Sequence, residues 1–126
     1  MTYRLHHVHL ICKDLEEMIA FFTGVIGADL IERRNFGTAQ GAVMDLQGNT
    51  INLRLAREGE EIVDPGIRSR YGYDHLGLEV DDLDAVHKDL SGRGYEFFMP
   101  PTNIPGLKIA FFRGPEAITI ELVQTL

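Results

Sequence analysis

Two stretches of this chain repeat one pattern, His7-Val-His-Leu-Ile-Cys-Lys-Asp-Leu15 and His75-Leu-Gly-Leu-Glu-Val-Asp-Asp-Leu83. Histidine, leucine, aspartate and leucine recur in them at one constant offset. The ends of the two halves match as well, because Thr50-Ile-Asn-Leu53 is echoed by Thr119-Ile-Glu-Leu122. Such a repeat indicates two modules, in which strands that carry histidine and strands that carry an amide or an acid occupy equivalent places.

The bulk composition predicts one globular domain in the cytoplasm. A chain of 126 residues suits a single core, and modules of about 60 residues are too short to be comfortable alone. The net charge of −7 is spread without a basic cluster, which argues against nucleic acid. No stretch approaches the ~20 apolar residues that cross a bilayer, and no signal-peptide core begins the chain. The single cysteine, Cys12, fits a reducing compartment.

Hydrophobic periodicity predicts the order βαβββ in each module. Module one covers about 1–57, a linker about 58–72, and module two about 73–126. Asp14 and Asp82 stand where helix N-caps are expected, each before an apolar stripe of helical spacing. Pro100-Pro101 and Asn103–Gly106 predict a loop beside a pocket. The predicted strands are 4–12, 28–35, 40–47 and 50–56 in module one, and 73–80, 95–99, 107–113 and 117–124 in module two.

The alternation of strand side chains places the polar residues of each module on one face. His7 and His9 share a face of the first strand, and Asn52 and Glu121 lie opposite their apolar neighbours. We therefore expect an α+β fold whose two βαβββ modules form a curved eight-stranded mixed sheet. Five side chains would then project into one cavity: His7, His9, Asn52, His75 and Glu121.

This set of side chains suits a divalent first-row metal. Two imidazoles, a carboxylate and a carboxamide are borderline ligands, and water fills the remaining positions. A single isolated histidine is more often a hydrogen-bonded core or surface residue. Its repetition at equivalent positions favours a metal site.

The fragments 5–22, 74–83 and 118–123 resemble the vicinal oxygen chelate superfamily, which groups glyoxalase I, methylmalonyl-CoA epimerase, fosfomycin and bleomycin resistance proteins and extradiol dioxygenases. The resemblance covers nearly the whole chain and implies paired modules forming a metal cup. Matched position by position, it implies His7, Asn52, His75 and Glu121 as ligands of Zn, Ni, Co, Mn or Fe. No residue is assigned to any other cofactor.

Asn52 departs from the family pattern. Glyoxalase I members usually carry Glu there, and epimerase members carry Gln or Glu, so the departure disfavours glyoxalase I proper. A carboxamide oxygen binds a hard metal but cannot act as a base. His9, on the face of His7, is a candidate for orienting a ligand or moving a proton.

The resemblance implies a metal-dependent lyase, isomerase or epimerase that transfers a proton through an enediolate on a small carbonyl or thioester substrate. Glu121 is the candidate base, and His9 is the second candidate catalytic residue. Epimerases that resemble this chain carry a glutamate near 33–36, which is absent here, so His9 would have to substitute for it.

Two alternatives remain open. His7, His75 and Glu121 alone form a two-histidine, one-carboxylate set that suits a small nonheme Fe(II) dioxygenase. A fosfomycin- or bleomycin-type resistance protein is the other alternative, although sequestration does not require metal ligands and 95–113 lacks the expected lysine-serine loop.

The expected partner is a small molecule, which scattered cations allow to be anionic, and related chains commonly form homodimers. Each of these cations is interpreted as a solvated charge unless it lies in a pocket. They are Arg33, Arg34, Arg54, Arg57, Arg68, Arg70, Lys108 and Arg113.

Overall fold

Eight strands and two α-helices follow one another as βαβββ and again as βαβββ in the computed structural model, which describes residues 1–64 and 66–126. Contacts between residues divide the chain into two compact units, Met1–Asp64 and Pro65–Leu126. The division falls within the predicted linker, of which Pro65 lies outside the described residues. The elements are β1 (His7–Ile11), α1 (Leu15–Phe21), β2 (Asp29–Phe36), β3 (Ala39–Leu46), β4 (Asn49–Arg54), β5 (Leu76–Glu79), α2 (Leu83–Gly92), β6 (Phe97–Ile104), β7 (Leu107–Arg113) and β8 (Thr119–Thr125).

The first unit is a four-stranded mixed sheet in the order β1-β4-β3-β2. Strand β1 runs parallel to β4, and the other neighbours are antiparallel. The Asp14 carboxylate accepts a hydrogen bond of 3.0 Å from the Glu17 N–H and caps α1, as predicted. The helix continues as a π-helical turn, Phe22–Ile26, and ends at Gly27, whose φ of 89° suits glycine. Fully buried Phe22, Met44 and Leu53 lie in its core.

The second unit repeats this topology in the order β5-β8-β7-β6. Strand β5 is parallel to β8, so in each unit a parallel pair joins the strand before the helix to the last strand. Asp82 caps α2 by accepting 3.1 Å from the Ala85 N–H. Leu83, Phe112 and Ile120 are fully buried. The predicted α+β class and the two βαβββ modules are confirmed, and the eight strands form two four-stranded sheets.

Several predicted strand boundaries are wrong, and those of β5 and β6 bear on the site. Strand β5 begins at Leu76, where its ladder with β8 starts, so His75 precedes the strand rather than lying in it. The predicted loop at Pro100-Pro101 is part of β6. Strand β6 is an edge strand, and its pairing with β7 shifts register between Met99 and Thr102, so neither proline has to donate to the ladder.

Among the described residues, no helix is both long enough and apolar enough to span a bilayer.

Candidate functional site

His75 and Glu121 form a polar pair in the second unit. The Nε2 atom of His75 lies 3.2 Å from Oε1 of Glu121. Glu121 lies on β8, on the face opposite the buried side chains of Ile120 and Leu122. The other ring nitrogen, Nδ1, lies 2.7 Å from the Asp74 carboxylate. Hydrogen bonding to Asp74 raises the pKa of His75, and Glu121 acts in the same direction. A carboxylate on Nδ1 fixes the ring and makes Nε2 a better metal ligand.

Space beside Glu121 is kept open by a glycine. Gly77 is the register partner of Glu121 across β5 and β8, and a Cβ on Gly77 would lie 3.5 Å from Oε1. The Phe111 ring stands on the other side of the pair, 5.2 Å from the His75 ring centroid. The Glu121 carboxylate therefore has the Phe111 ring on one side and, on the Gly77 side, space that no side chain occupies.

In the first unit, His9 and Asn52 occupy the places that Gly77 and Glu121 hold in the second. His9 is the register partner of Asn52 across β1 and β4. Asn52 is only 9% exposed, and its side-chain oxygen is buried with no hydrogen-bond partner among residues 1–64 and 66–126. A buried carbonyl oxygen without a partner is an unusual feature, and ligand binding is one explanation for it.

The His9 ring is held by Phe36. Their centroids lie 4.5 Å apart in an edge-to-face contact. Phe36 in turn lies over Gly41, where an added Cβ would come within 2.7 Å of the Phe36 ring and overlap the Leu53 carbonyl. Partial desolvation lowers the pKa of His9, and the positive charge of Arg54 adds to the effect. The lowered pKa favours the neutral imidazole, which is the form that can accept a proton.

His7 is exposed on the same face of β1, with its ring centroid 6.1 Å from that of His9. Its Nδ1 lies 2.9 Å from Nδ1 of His6. This contact leaves Nε2 of His7 as the ring nitrogen available for a ligand. Sequence reasoning missed three contacts, because each depends on rotamers that strand periodicity does not define. They are His6 with His7, Asp74 with His75, and Phe36 with His9.

Arg54 is not the solvated charge that the sequence predicted. It is 9% exposed and makes a two-pronged ion pair with Glu60, at 2.8 and 2.9 Å. The pair lowers the pKa of Glu60 to about 2, and the Arg57 N–H adds to the effect. The start of the predicted linker is therefore tied to β4.

The donor types in each unit fit a divalent metal. One unit presents imidazole and an unsatisfied amide oxygen, and the other presents imidazole beside carboxylate. Within the described part of the chain, no three His, Cys, Asp or Glu side chains gather into a group that could hold an ion.

Sequence comparison identifies the class. The family model described as the Glyoxalase/Bleomycin resistance protein/Dioxygenase superfamily matches residues 4–122. The chain belongs to this superfamily, and the resemblance seen in the sequence is confirmed.

Three known proteins illustrate the likeness. The chain is 28% identical to a probable lactoylglutathione lyase of Vibrio cholerae, over 98% of this chain and 91% of that protein. It is 26% identical to a glyoxylase/bleomycin resistance protein/dioxygenase domain of Frankia sp. EAN1pec, which superposes with a TM-score of 0.80 over 100% of both chains. A variant of the fosfomycin resistance protein FosX of Listeria monocytogenes, complexed with Mn(II) and a dihydroxypropylphosphonic acid, shares the fold at 19% identity and a TM-score of 0.76, over 100% of this chain and 93% of that one.

Proposed function

We propose that this protein is a divalent-metal-dependent lyase or isomerase that moves a proton next to the carbonyl of a small substrate. The observation that carries the proposal is the His75–Glu121 pair, with Asp74 on the remaining ring nitrogen. The likeness to a probable lactoylglutathione lyase supports lyase chemistry. The Mn(II) in the FosX complex supports a divalent ion within this superfamily.

In this proposal, His7, Asn52, His75 and Glu121 hold the metal. The Asn52 oxygen is buried and has no hydrogen-bond partner among the residues that the structure describes, so binding an ion would remove an existing penalty. The bound ion would polarise a substrate carbonyl and acidify the adjacent C–H.

The protein's own part in the reaction is proton transfer. Glu121 accepts the proton at a carboxylate oxygen, and the space at Gly77 gives that carboxylate room to turn toward the substrate. His9, whose pKa is lowered and whose ring packs against Phe36, accepts or returns a proton in this proposal. Asp74 positions His75 and does not touch the substrate.

Deuterium exchange tests this function. Metal-loaded protein in D2O is incubated with hemithioacetals, 2-methyl-branched CoA thioesters and hydroxycarbonyl compounds, and loss of the α-proton signal is followed by NMR. We expect exchange on at least one class, slowed in Glu121→Gln by about 100-fold or more, because general base catalysis contributes at least that much.

The matched control is Glu116→Gln, which removes the same charge from an exposed position of the same hairpin and should exchange at the wild-type rate. Failure to exchange any of the three classes, or unaltered exchange in Glu121→Gln, would contradict the proposal.

A further inference from the structure

One arginine of the second unit makes no ion pair within residues 1–64 and 66–126. Arg113 ends β7, and its Nε is buried without a hydrogen-bond partner among residues 1–64 and 66–126. The ion pairs of that described part do not include it. Because desolvating a donor without a partner is costly, the unsatisfied Nε–H of Arg113 favours a ligand at this guanidinium.

The guanidinium is held in a defined plane. Its central carbon lies 4.0 Å from the centroid of the Phe98 ring, and Phe98 is 49% exposed. Stacking on an aromatic face fixes the plane and leaves the N–H groups on the edge free to donate. Both side chains line a cavity of about 370 Å³, together with Tyr95 and Glu96.

An aromatic row joins this cavity to the candidate metal ligands. Phe98 lies 5.6 Å from Phe111, and Phe111 lies 5.2 Å from His75, between ring centroids. Phe111 is also the register partner of Glu121. Arg113 follows Phe111 by two residues and shares its face of β7, about 7 Å farther along the strand.

We propose that Arg113 and Phe98 form a recognition site for the carboxylate of a small molecule whose apolar part lies along Phe111. A planar guanidinium fork matches the two oxygens of a carboxylate, and the neighbouring aromatic rings favour an aryl or branched alkyl group. The binding site stands on its own geometry. Its role as the anchor for the substrate, with the reacting carbonyl at Glu121, rests on the proposed function.

Glu96 opposes an anion at this site. It lines the same cavity as an exposed carboxylate and makes no ion pair with Arg113 within the described residues. Removing the Glu96 charge should therefore strengthen anion binding, whereas removing the Arg113 charge should weaken it. Opposite effects of two charge changes are not expected from a loss of folding.

The test uses the intact, EDTA-treated chain, so that it does not depend on metal or turnover. The Nε–H resonance of Arg113 is followed by NMR during titration with sodium phenylacetate and with its neutral counterpart, phenylacetamide. We expect a saturable shift with phenylacetate in the millimolar range. Binding of phenylacetamide should be at least about tenfold weaker, because it lacks the charged acceptor.

Variants extend the test. Arg113→Gln should bind phenylacetate about tenfold more weakly, Glu96→Gln a few-fold more tightly, and Arg93→Gln, a matched change at an exposed arginine of the α2 C-cap, as the wild type does. Should Arg113→Gln fail to fold, the wild-type resonance still reports binding. An unchanged Arg113 signal, or equal binding of phenylacetate and phenylacetamide, would overturn the proposal. Inorganic phosphate binding as tightly as phenylacetate would overturn the assignment to a carboxylate.

Discussion

Asn52 carries a folding cost that its neighbours do not share. A buried oxygen without a partner destabilises a protein by about 1–3 kcal/mol, whereas Ile51 and Leu53 on either side are buried apolar residues. In the second module the equivalent residue, Glu121, is paired with His75. The two equivalent residues therefore differ both in charge and in hydrogen bonding. The unpartnered oxygen of Asn52 is the atom that would bind the metal in the proposed site.

The register partners of Asn52 and Glu121 also differ between the modules. Module one places His9 beside Asn52, and module two places Gly77 beside Glu121. A bulky imidazole thus accompanies the short amide, and the smallest residue accompanies the carboxylate.

The Arg54–Glu60 ion pair predicts a dependence of stability on acid. The pKa of Glu60 is about 2 in the folded chain and is higher when the chain unfolds, so the pair stabilises the fold above the unfolded pKa. This contribution is lost as the pH falls from about 4.5 toward 2. Over pH 5 to about 3, the urea midpoint of Glu60→Gln should fall less steeply than that of the wild type.

Glu58→Gln is the control for that measurement, because Glu58 is an exposed carboxylate two residues away. It should follow the wild-type slope. Parallel slopes for Glu60→Gln and the wild type would show that the ion pair contributes nothing to acid stability.

At the scale of elements, the hairpin before β8 has two non-glycine residues with positive φ, and its counterpart before β4 has one. Glu116 and Ala117 both have positive φ, 56° and 60°, and the equivalent residues before β4 are Gln47 and Gly48, at 51° and 87°. Ala117→Gly should raise the free energy of unfolding by about 0.5–1 kcal/mol, because glycine adopts this conformation without the Cβ penalty. Urea unfolding measures the change.

Gly48→Ala is the reciprocal variant and should lower the free energy of unfolding by a similar amount. An Ala117→Gly protein no more stable than the wild type would mean that other contacts of the β7–β8 hairpin compensate for the left-handed backbone.

The order of elements was predictable from the sequence because it depends on local signals. Asp14 and Asp82 mark the helix starts, and period-two alternation marks most strands. The prolines of β6 misled this reasoning, because only the sheet order reveals that β6 is an edge strand that tolerates them. Arg54 misled it similarly, since its partner Glu60 lies beyond the strand.

Site chemistry was predictable only in outline. Repetition pointed to His7, His75, Asn52 and Glu121 as candidate ligands, but not to the contacts that tune them. Those contacts depend on side-chain conformations. They are Asp74 with His75, Phe36 with His9, and Arg113 with Phe98. These contacts became apparent only when the rotamers were seen together with their neighbours.

At the scale of the whole molecule, duplication supplies two similar scaffolds with unequal donors. In the proposed function, His7 and Asn52 of one module and His75 and Glu121 of the other are the metal ligands. Metal ligation distinguishes the proposed enzyme from a protein that only sequesters a small molecule, because sequestration requires no ligand at His7 or His75.

Cobalt titration of the metal-free protein tests that central claim most directly. Co²⁺ reports its ligands through visible absorption. We predict that each chain binds one Co²⁺ ion tightly. His7→Ala and His75→Ala should each lower the affinity for Co²⁺ by about tenfold or more, because each removes a ligand. His87→Ala, in a histidine of α2 packed on Phe97, should bind as the wild type does. The account is contradicted if the wild type binds no Co²⁺, or if either ligand variant binds it unchanged.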